Sequence, residues 1–519
     1  MKKSILPLSF LLALSVQQVA MAQSIYDDAK ILSLDELNGT ARFRAMGGVN
    51  TALGGDISSV SGNPAGLGFF GQSDVSVSLN VLNNNNTTNF FGNNKSTNYA
   101  KFGIDNAGLV LYFPTAYDQN YGWQNLNIGV SVNRQNNYSD KVTYSGINNQ
   151  NTLVQYMTDV MHSASGFAAD FKNSYLVEQF ANPGDGYFPT VLEADPKGQQ
   201  IDLIAGGYKY LTNFSIGANY SHKFYIGGGV GLLAYKNTYE SNVYERGWTK
   251  RADEIAPDNP NSAFTKPGTI QNKYTDINYS ISDRIMSEST GYGANFNFGM
   301  IIKPTWDWNI GLTFTSPTWT TIKFDDYLDT EVHYYDNETT TSDLYNPYYS
   351  KPDGGSRDYS IISPWKTAFG LTKFFGRGLL SADVEYVGYN SIQYVDESAD
   401  AMIGSDVEIN DELKATYKGA FNFRVGTEVV VTDRLTARAG YNYRGSAFKD
   451  TDKGNSIGTI GLGYIFPNAM YIDVTAMQYQ ATEYYHQTYS LAPLWKSEAP
   501  GTDVKNKRFN AVMTIGLKF

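Results

Sequence analysis

From Ser73 to Phe519, stretches of about ten residues recur in which apolar and polar side chains alternate, each bounded by Gly, Asn, Asp or Pro. A period of two places one set of side chains on each face of an extended strand. About fourteen such segments can be delimited: 73–82, 107–114, 125–138, 212–223, 224–244, 290–303, 308–323, 361–375, 379–394, 415–431, 434–444, 455–466, 470–485 and 508–519. In the plainest of them, Leu435, Ala437, Ala439, Tyr441 and Tyr443 alternate with Thr436, Arg438, Gly440, Asn442 and Arg444. One face suits lipid and the other water. An arginine on the lipid face costs about 2–4 kcal/mol near the bilayer midplane, so Arg438 and Arg444 are expected to face a bore. The last segment repeats the pattern with Phe509, Ala511, Met513, Ile515, Leu517 and Phe519.

Past residue 22 no run of about 18 apolar residues occurs, which excludes a helical membrane protein. Recurrent alternation predicts an all-β fold instead: a transmembrane antiparallel β-barrel of about fourteen strands. Connections alternate between short ones, as at Thr432-Asp433 and Pro467-Asn468, and long ones. The longest runs from 139 to 202. Within it, over 151–181, Leu153, Tyr156, Met157, Val160 and Met161 recur at helical spacing, predicting helices in an external loop. That stripe either packs on the barrel rim or forms a greasy surface that captures an insoluble ligand. Residues 240–288 and 324–360 read as further long, polar loops.

Ahead of the strands, Met1-Lys2-Lys3, the apolar run Ile5 to Val16 and Ala20-Met21-Ala22 have the form of a cleavable secretory signal peptide, residues 1–22, with the mature chain starting at Gln23. Residues 23–70 are read as an N-terminal hatch or plug, and 71–519 as the barrel with its external loops. Ala41 to Phe70 is rich in Gly, Ala and Ser, which allows backbone to pack closely against a surrounding wall. Asn63-Pro64 is a helix-start pair, the Asn side chain accepting from an orphan amide and Pro taking the first helical position; it is either a capped turn or part of a gate. Ser33-Leu34-Asp35-Glu36 matches a capping box and predicts a short helix after it.

Composition agrees with export to a membrane. There is no cysteine, hence no lipoprotein anchor and no disulfide. The net charge of −11 provides no footprint for nucleic acid. The 39 Tyr and 28 Phe can furnish aromatic girdles, and a mean hydropathy of −0.35 is what alternating faces produce. Candidate chemistry is thin. His162, His222, His333 and His486 stand at no ligand spacing, so no metal site is expected. Gly227 to Gly231 lacks the lysine of a phosphate loop and reads as strand. Asp450 to Asn455 lacks the closing glutamate of a calcium loop and reads as a turn. Ser221 and His222, taken as neighbours on a strand, point to opposite faces. No catalytic residue, no enzyme activity and no cofactor are expected.

Three blocks in the hatch region carry a family resemblance: Ala41-Arg42-Phe43-Arg44-Ala45-Met46-Gly47-Gly48, then Gly54-Gly55-Asp56, then Asn63-Pro64-Ala65-Gly66-Leu67. They resemble the amino-terminal hatch of the FadL/TodX-type outer-membrane transporters, and Ile310 to Pro317, Trp365 to Tyr389 and Arg434 to Tyr443 look like barrel strands of that family. The resemblance implies a fourteen-stranded barrel closed by the hatch, with Gly47, Gly48, Asn63, Pro64, Ala65 and Gly66 as hatch or gating residues. It implies passive uptake of long-chain fatty acids or other hydrophobic compounds, captured by external loops (here Leu153, Tyr156, Met157, Val160 and Met161) and released sideways through a gap in the wall. An outer-membrane monomer is expected, in contact with outer-membrane lipid and recognised by the barrel-assembly machinery through the terminal Phe519. Some members of this family serve protein secretion as attachment or shuttle components, which is the alternative reading. After Asp56 this sequence departs from the commoner pattern, with Ile57-Ser58-Ser59-Val60 in place of a more alanine-rich stretch.

Overall fold

The computed structural model describes residues 16–115, 121–163, 171–337, 339, 342–350, 354–397, 405–488 and 500–519. Most of the expected signal peptide, residues 1–15, lies outside the described residues.

Fourteen antiparallel strands close into one ring: β1 (Asp74–Phe90), β2 (Asn93–Pro114), β3 (Trp123–Asn137 continued by Asp140–Asn148), β4 (Lys197–Tyr220), β5 (Phe224–Trp248), β6 (Asn278–Thr305) and β7 (Trp308–Thr315 continued by Trp319–Tyr335). The ring goes on through β8 (Ser356–Ile362 and Lys366–Phe375), β9 (Gly378–Val387 and Gln393–Asp396), β10 (Ala420–Val430), β11 (Leu435–Arg444), β12 (Asn455–Ile465), β13 (Met470–Tyr479 and Thr482–Gln487) and β14 (Gly501–Lys518). Each strand pairs with the next, and β14 pairs back onto β1 from Asp74↔Lys518 to Asn89↔Asp503, which closes the ring. The expected fourteen-stranded barrel is thus observed.

One end carries tight turns, such as Ser221–Lys223, Gly376–Arg377 and Phe466–Ala469, and the chain end, where Ser73 and Phe519 exchange backbone hydrogen bonds. Near this end the outward side chains form an apolar belt that includes Phe214, Ile216, Leu232, Phe296, Phe298, Leu312, Phe369 and Phe423. Such a continuous exposed band is stable only against lipid. Farther from the turns the outward faces become charged: Lys236 meets Glu288 at 2.9 Å, Arg284 meets Asp329, and Lys323 meets Asp325. Since these would be costly in hydrocarbon, the strands continue well beyond the bilayer. β6 has 28 residues where about 9–11 suffice to cross.

Three expectations are corrected by the structure. Residues 140–148, 240–248, 278–289, 324–335 and 356–360 are strand, not loop. Above the membrane the outward face turns polar and only some inward positions, such as Val142, Tyr279, Ile281, Phe324 and Val332, are apolar, so the lipid-facing half of the alternation is lost and its signal weakens. Ser33 closes a helix, α1 (Val16–Ser33), instead of capping a new one. The next helix, α2 (Ala41–Ala45), is capped by Thr40, whose side chain accepts from the Phe43 amide. Ser221 and His222 form the turn between β4 and β5, both at φ +55°, so they do not share a strand.

Candidate functional site

The bore is filled by the chain's own beginning. Residues 41–70 lie across it as α2 and two 3₁₀ turns, Ile57–Val60 and Pro64–Phe69. Asn63 caps the second turn. Its Oδ1 accepts from the Ala65 amide at 3.0 Å while its Nδ2 donates to the Thr51 carbonyl at 2.6 Å. Pro64, Ala65 and Gly66 are fully buried. Gly47 and Gly48 take φ +68° and +82°, a region that favours glycine. Gly47 lies so close to the wall that a Cβ there would come within 2.8 Å of the Tyr441 backbone.

The wall yields to the segment as well. Gly217, Gly227 and Gly299 are register partners on β4, β5 and β6, and a Cβ on any of them would collide with Asn63 or Pro64. Gly426 and Gly440 stand opposite each other on β10 and β11 against Met46 and Gly47. The sequence-predicted hatch residues therefore sit together, at one level of the bore.

Buried charge fixes the segment from opposite sides. Arg42 binds Glu428 through Nε at 2.9 Å and Nη2 at 3.2 Å, and Arg438 shares that carboxylate at 2.6 Å. Burial opposes the charge of Arg42, but the Glu428 carboxylate outweighs it and raises the guanidinium pKa. Arg44 donates to Asp105 at 2.7 Å and to the Gly39 carbonyl at 3.0 Å, and Arg134 binds the other oxygen of Asp105. Asp383 accepts from the amides of Asn50 and Thr51 at 2.9 and 3.1 Å. Only the barrel register brings these groups together, and sequence reasoning named none of the acidic partners. Arg438 and Arg444 do point into the bore.

Asp105 stands at the foot of a seam in the wall. Pairing of β2 with β3 runs from Pro114↔Asn125 to Asn106↔Asn133 and stops. Beyond it β2 continues to Asn93 paired with β1 alone, while β3 breaks at Tyr138-Ser139 and turns into the bore. Its second half lies over inward-facing side chains of β1: Asn86 Nδ2 donates to Asp140 Oδ1 at 2.8 Å and to the Lys141 carbonyl at 2.9 Å. On the outer surface of the seam are Phe102 and Ile104, and the Tyr210 hydroxyl of β4 reaches the Ile104 carbonyl at 3.3 Å.

Farther out the bore is apolar. Ile25, Ala29 and Leu32 of α1 pack against Leu211, Leu233, Ile322, Phe324 and Ile361, burying side chains worth about 1.5–3 kcal/mol each for Ile and Leu. Asp28 lies in this greasy wall, accepting from the hydroxyls of Tyr235 and Tyr359, each at 2.5 Å. Burial raises its pKa, those hydrogen bonds resisting. Between α1 and the 41–70 segment is a chamber of about 210 Å³, lined by polar and charged groups that include Asp35, Lys209, Lys366, Glu385, Arg424 and Arg444. Burial works against the charge of Asp35, but Lys209 and Lys366 prevail and hold it well below the usual carboxylate range.

The external stripe closes the far end. Leu153, Met157 and Met161 of α3 (Leu153–Ser163) are buried in a core with Phe90, Val142, Tyr144, Phe188 and Ile201, and Tyr156 packs on its edge. The side chain of Val160 is outside the described residues. Glu245 anchors the start of α3, accepting from the Thr152 hydroxyl at 2.6 Å and the Leu153 amide at 2.8 Å. Among the described residues no group of three metal-ligating side chains occurs.

An apolar-belted cylinder, filled from within by residues 41–70 and unpaired along a seam on one side, is a membrane-spanning β-barrel. No protein-family model and no curated protein matches the sequence. Among solved structures, a FadL homologue of Pseudomonas aeruginosa is similar over 94% of this chain and 99% of that one, at 14% identity and a TM-score of 0.51. The toluene transporter TodX of P. putida (93% and 99% covered, 13% identity, TM-score 0.49) and the toluene transporter TbuX of Ralstonia pickettii (93% and 99%, 14%, 0.46) also align. The chain has the FadL-type barrel fold.

Proposed function

We propose that this protein is an outer-membrane transporter that takes up hydrophobic small molecules passively, long-chain fatty acids among them. The α3 cap and the apolar outer bore receive the compound, the segment 41–70 bars the way into the periplasm, and the seam between β2 and β3 releases the compound into the membrane. The unpaired upper part of that seam is the observation that carries the reading. A wall meant only to be tight would keep β2 and β3 paired along their whole length, whereas here β3 leaves its neighbour just where the apolar bore begins. The FadL-type fold and the hatch resemblance support the same reading. Sideways release spares an apolar solute the passage through water, and its binding strengthens by about 0.8 kcal/mol for each buried methylene.

The test is to hold the seam shut. The chain has no cysteine, so cysteines placed at Ile104 and Tyr210 are the sole targets of a short bis-maleimide linker. Linked protein in cells is expected to lose uptake of a fluorescent fatty acid, while either single-cysteine protein retains it. Full uptake by the linked protein would rule out the seam as the exit.

A further inference from the structure

Where β3 turns into the bore, β2 is left with an open edge outside the membrane. From Asn94 to Ile104 it keeps its ladder to β1 on one side and has no strand on the other. Two contacts fix the direction of its main-chain groups. Thr88 of β1 donates its hydroxyl to the Lys95 carbonyl at 3.3 Å, and Tyr210, from across the gap, donates to the Ile104 carbonyl at 3.3 Å. The register between these points is unbroken, so odd-numbered residues turn their main chain to β1 and even-numbered ones to the gap. Among the described residues no protein group hydrogen-bonds to the main chain of Asn94, Ser96, Asn98, Ala100 or Phe102. The exposed outward side chains of Asn94, Ser96, Asn98 and Ala100 place this edge clear of the hydrocarbon.

The gap suits a single strand. Lower down, β3 itself fills the space between β2 and β4; higher up, its second half stays paired with β4 but lies on the bore side. Positive charge gathers around the gap. Lys95 and Lys101 lie on the inward face of β2, and Lys101 donates to the Ser139 hydroxyl at the break. Lys141 shares the outer face of the second half of β3 with its register partner, the exposed Ile204. Elsewhere Lys236, Lys323, Lys366 and Lys505 are matched to carboxylates. In this chain of net charge −11, Lys95, Lys101 and Lys141 have no ion-pair partner among the described residues. The carboxylates on the second half of β3 and on β4 are engaged, Asp140 by Asn86, and Asp202 by Thr143 and Gln200.

We propose that this edge is a docking site for an extended acidic segment of another polypeptide, which adds to β2 as a strand and turns alternate carboxylates toward Lys95, Lys101 and Lys141. Only an extended backbone offers N–H and C=O groups at the repeat that β2 presents. An acidic polysaccharide matches the lysines but not the edge. Lysines beside an open edge discourage pairing with apolar strands, so the charge selects among extended partners. The site lies above the membrane and does not depend on the transport reading.

The test uses the mature protein in lipid nanodiscs and a fluorescein-tagged peptide of about nine residues in which Glu alternates with Thr or Val. Binding, read by fluorescence anisotropy, is expected to saturate at one peptide per barrel. N-methylating every second amide keeps the charge and, in one of its two phases, removes the donors that meet β2; that phase should bind at least tenfold more weakly than the other. Lys in place of Glu should weaken binding at least tenfold as well. Asn98→Pro deletes an N–H on the gap side only, where an edge strand tolerates proline, and should weaken binding at least tenfold, as should Lys95→Met combined with Lys101→Met. If Asn98→Pro does not assemble, the methylated peptides decide. Equal binding of both methylated phases and the parent peptide, or competition by polygalacturonate as strong as by untagged peptide, would reduce the site to an anion patch and overturn the proposal. Absence of binding by the parent peptide would overturn it too.

Discussion

Replacing Asp105 by Asn removes the charge that joins the 41–70 segment to both strands flanking the seam. Arg44 is 1% exposed and Asp105 5%, so water cannot take over the lost partner. Removing one member of a buried ion pair costs about 3–5 kcal/mol, because the other is left buried and uncompensated. Arg134 loses its partner too, although the two losses share one carboxylate and do not simply add. Arg44 keeps its hydrogen bond to the Gly39 carbonyl, which favours the lower end of that range. At about 1.4 kcal/mol per decade, 3–4 kcal/mol raises the population with the segment loosened roughly 10²- to 10³-fold. Single-protein conductance in planar bilayers is the assay: the parent should be closed almost throughout, and Asp105→Asn should show frequent openings. Asp105→Asn combined with Arg44→Met, which removes the stranded guanidinium, should close the barrel again in part. Arg377→Ala serves as control, since its pair with Asp433 is exposed at 68% and 95% and should not affect conductance. Unchanged conductance in Asp105→Asn, or additive effects in the double variant, would refute the view that this triad holds the segment to the seam.

Asn63→Ala loses a cap worth about 0.5–2 kcal/mol and leaves the buried Thr51 carbonyl unpaired, so it should also raise conductance, by less than Asp105→Asn. Gly299→Ala, which places a methyl carbon 1.8 Å from Asn63 Oδ1, should perturb the same segment from the wall side, read as faster protease cleavage within 41–70. Docking of α1 should respond to pH in two opposed ways. Asp28 binds its proton more tightly when docked, so docking strengthens as the medium falls from neutral toward the ordinary carboxylate range; Asp35 is depressed, so its contribution is complete above that range and lost only below it. Nitroxide mobility at Lys30→Cys should therefore pass through a minimum near the ordinary carboxylate pKa, and a monotonic rise on acidification would contradict the assignment. Deleting Phe519 should lower the yield of folded barrel in the outer membrane, measured by heat-dependent migration in gels.

What was legible in the sequence follows the lipid. Arg434 to Arg444 announces its faces because one of them touches hydrocarbon, and the same contrast marks all fourteen strands near the tight turns. Residues 83–89 and 93–98 are polar on both faces, so no periodicity remains to be read there, while in 197–211 and 278–289 the apolar inward positions Ile201, Leu203, Tyr279 and Ile281 are too few to mark a strand. The close packing of residues 41–70 was legible because glycines and Asn63-Pro64 mark a tightly packed turn. The ion pairs were not: Arg42 and Glu428, Arg44 and Asp105, and Asp35 and Lys366 lie 386, 61 and 331 residues apart, and register alone unites them. The break at Tyr138-Ser139 carries no local signal, since it follows a run that is already polar, Asn133 to Asn137.

The glycines that line the bore face a segment translated before any strand, and they sit on strands from both halves of the ring. β1 zips to β14 along sixteen residue pairs, and within the ring they close, Arg42, Phe43 and Leu67 fill the waist that these glycines leave. The girth of the N-terminal segment is thus matched to the bore residue by residue, so a bulkier side chain on either surface has nowhere to go.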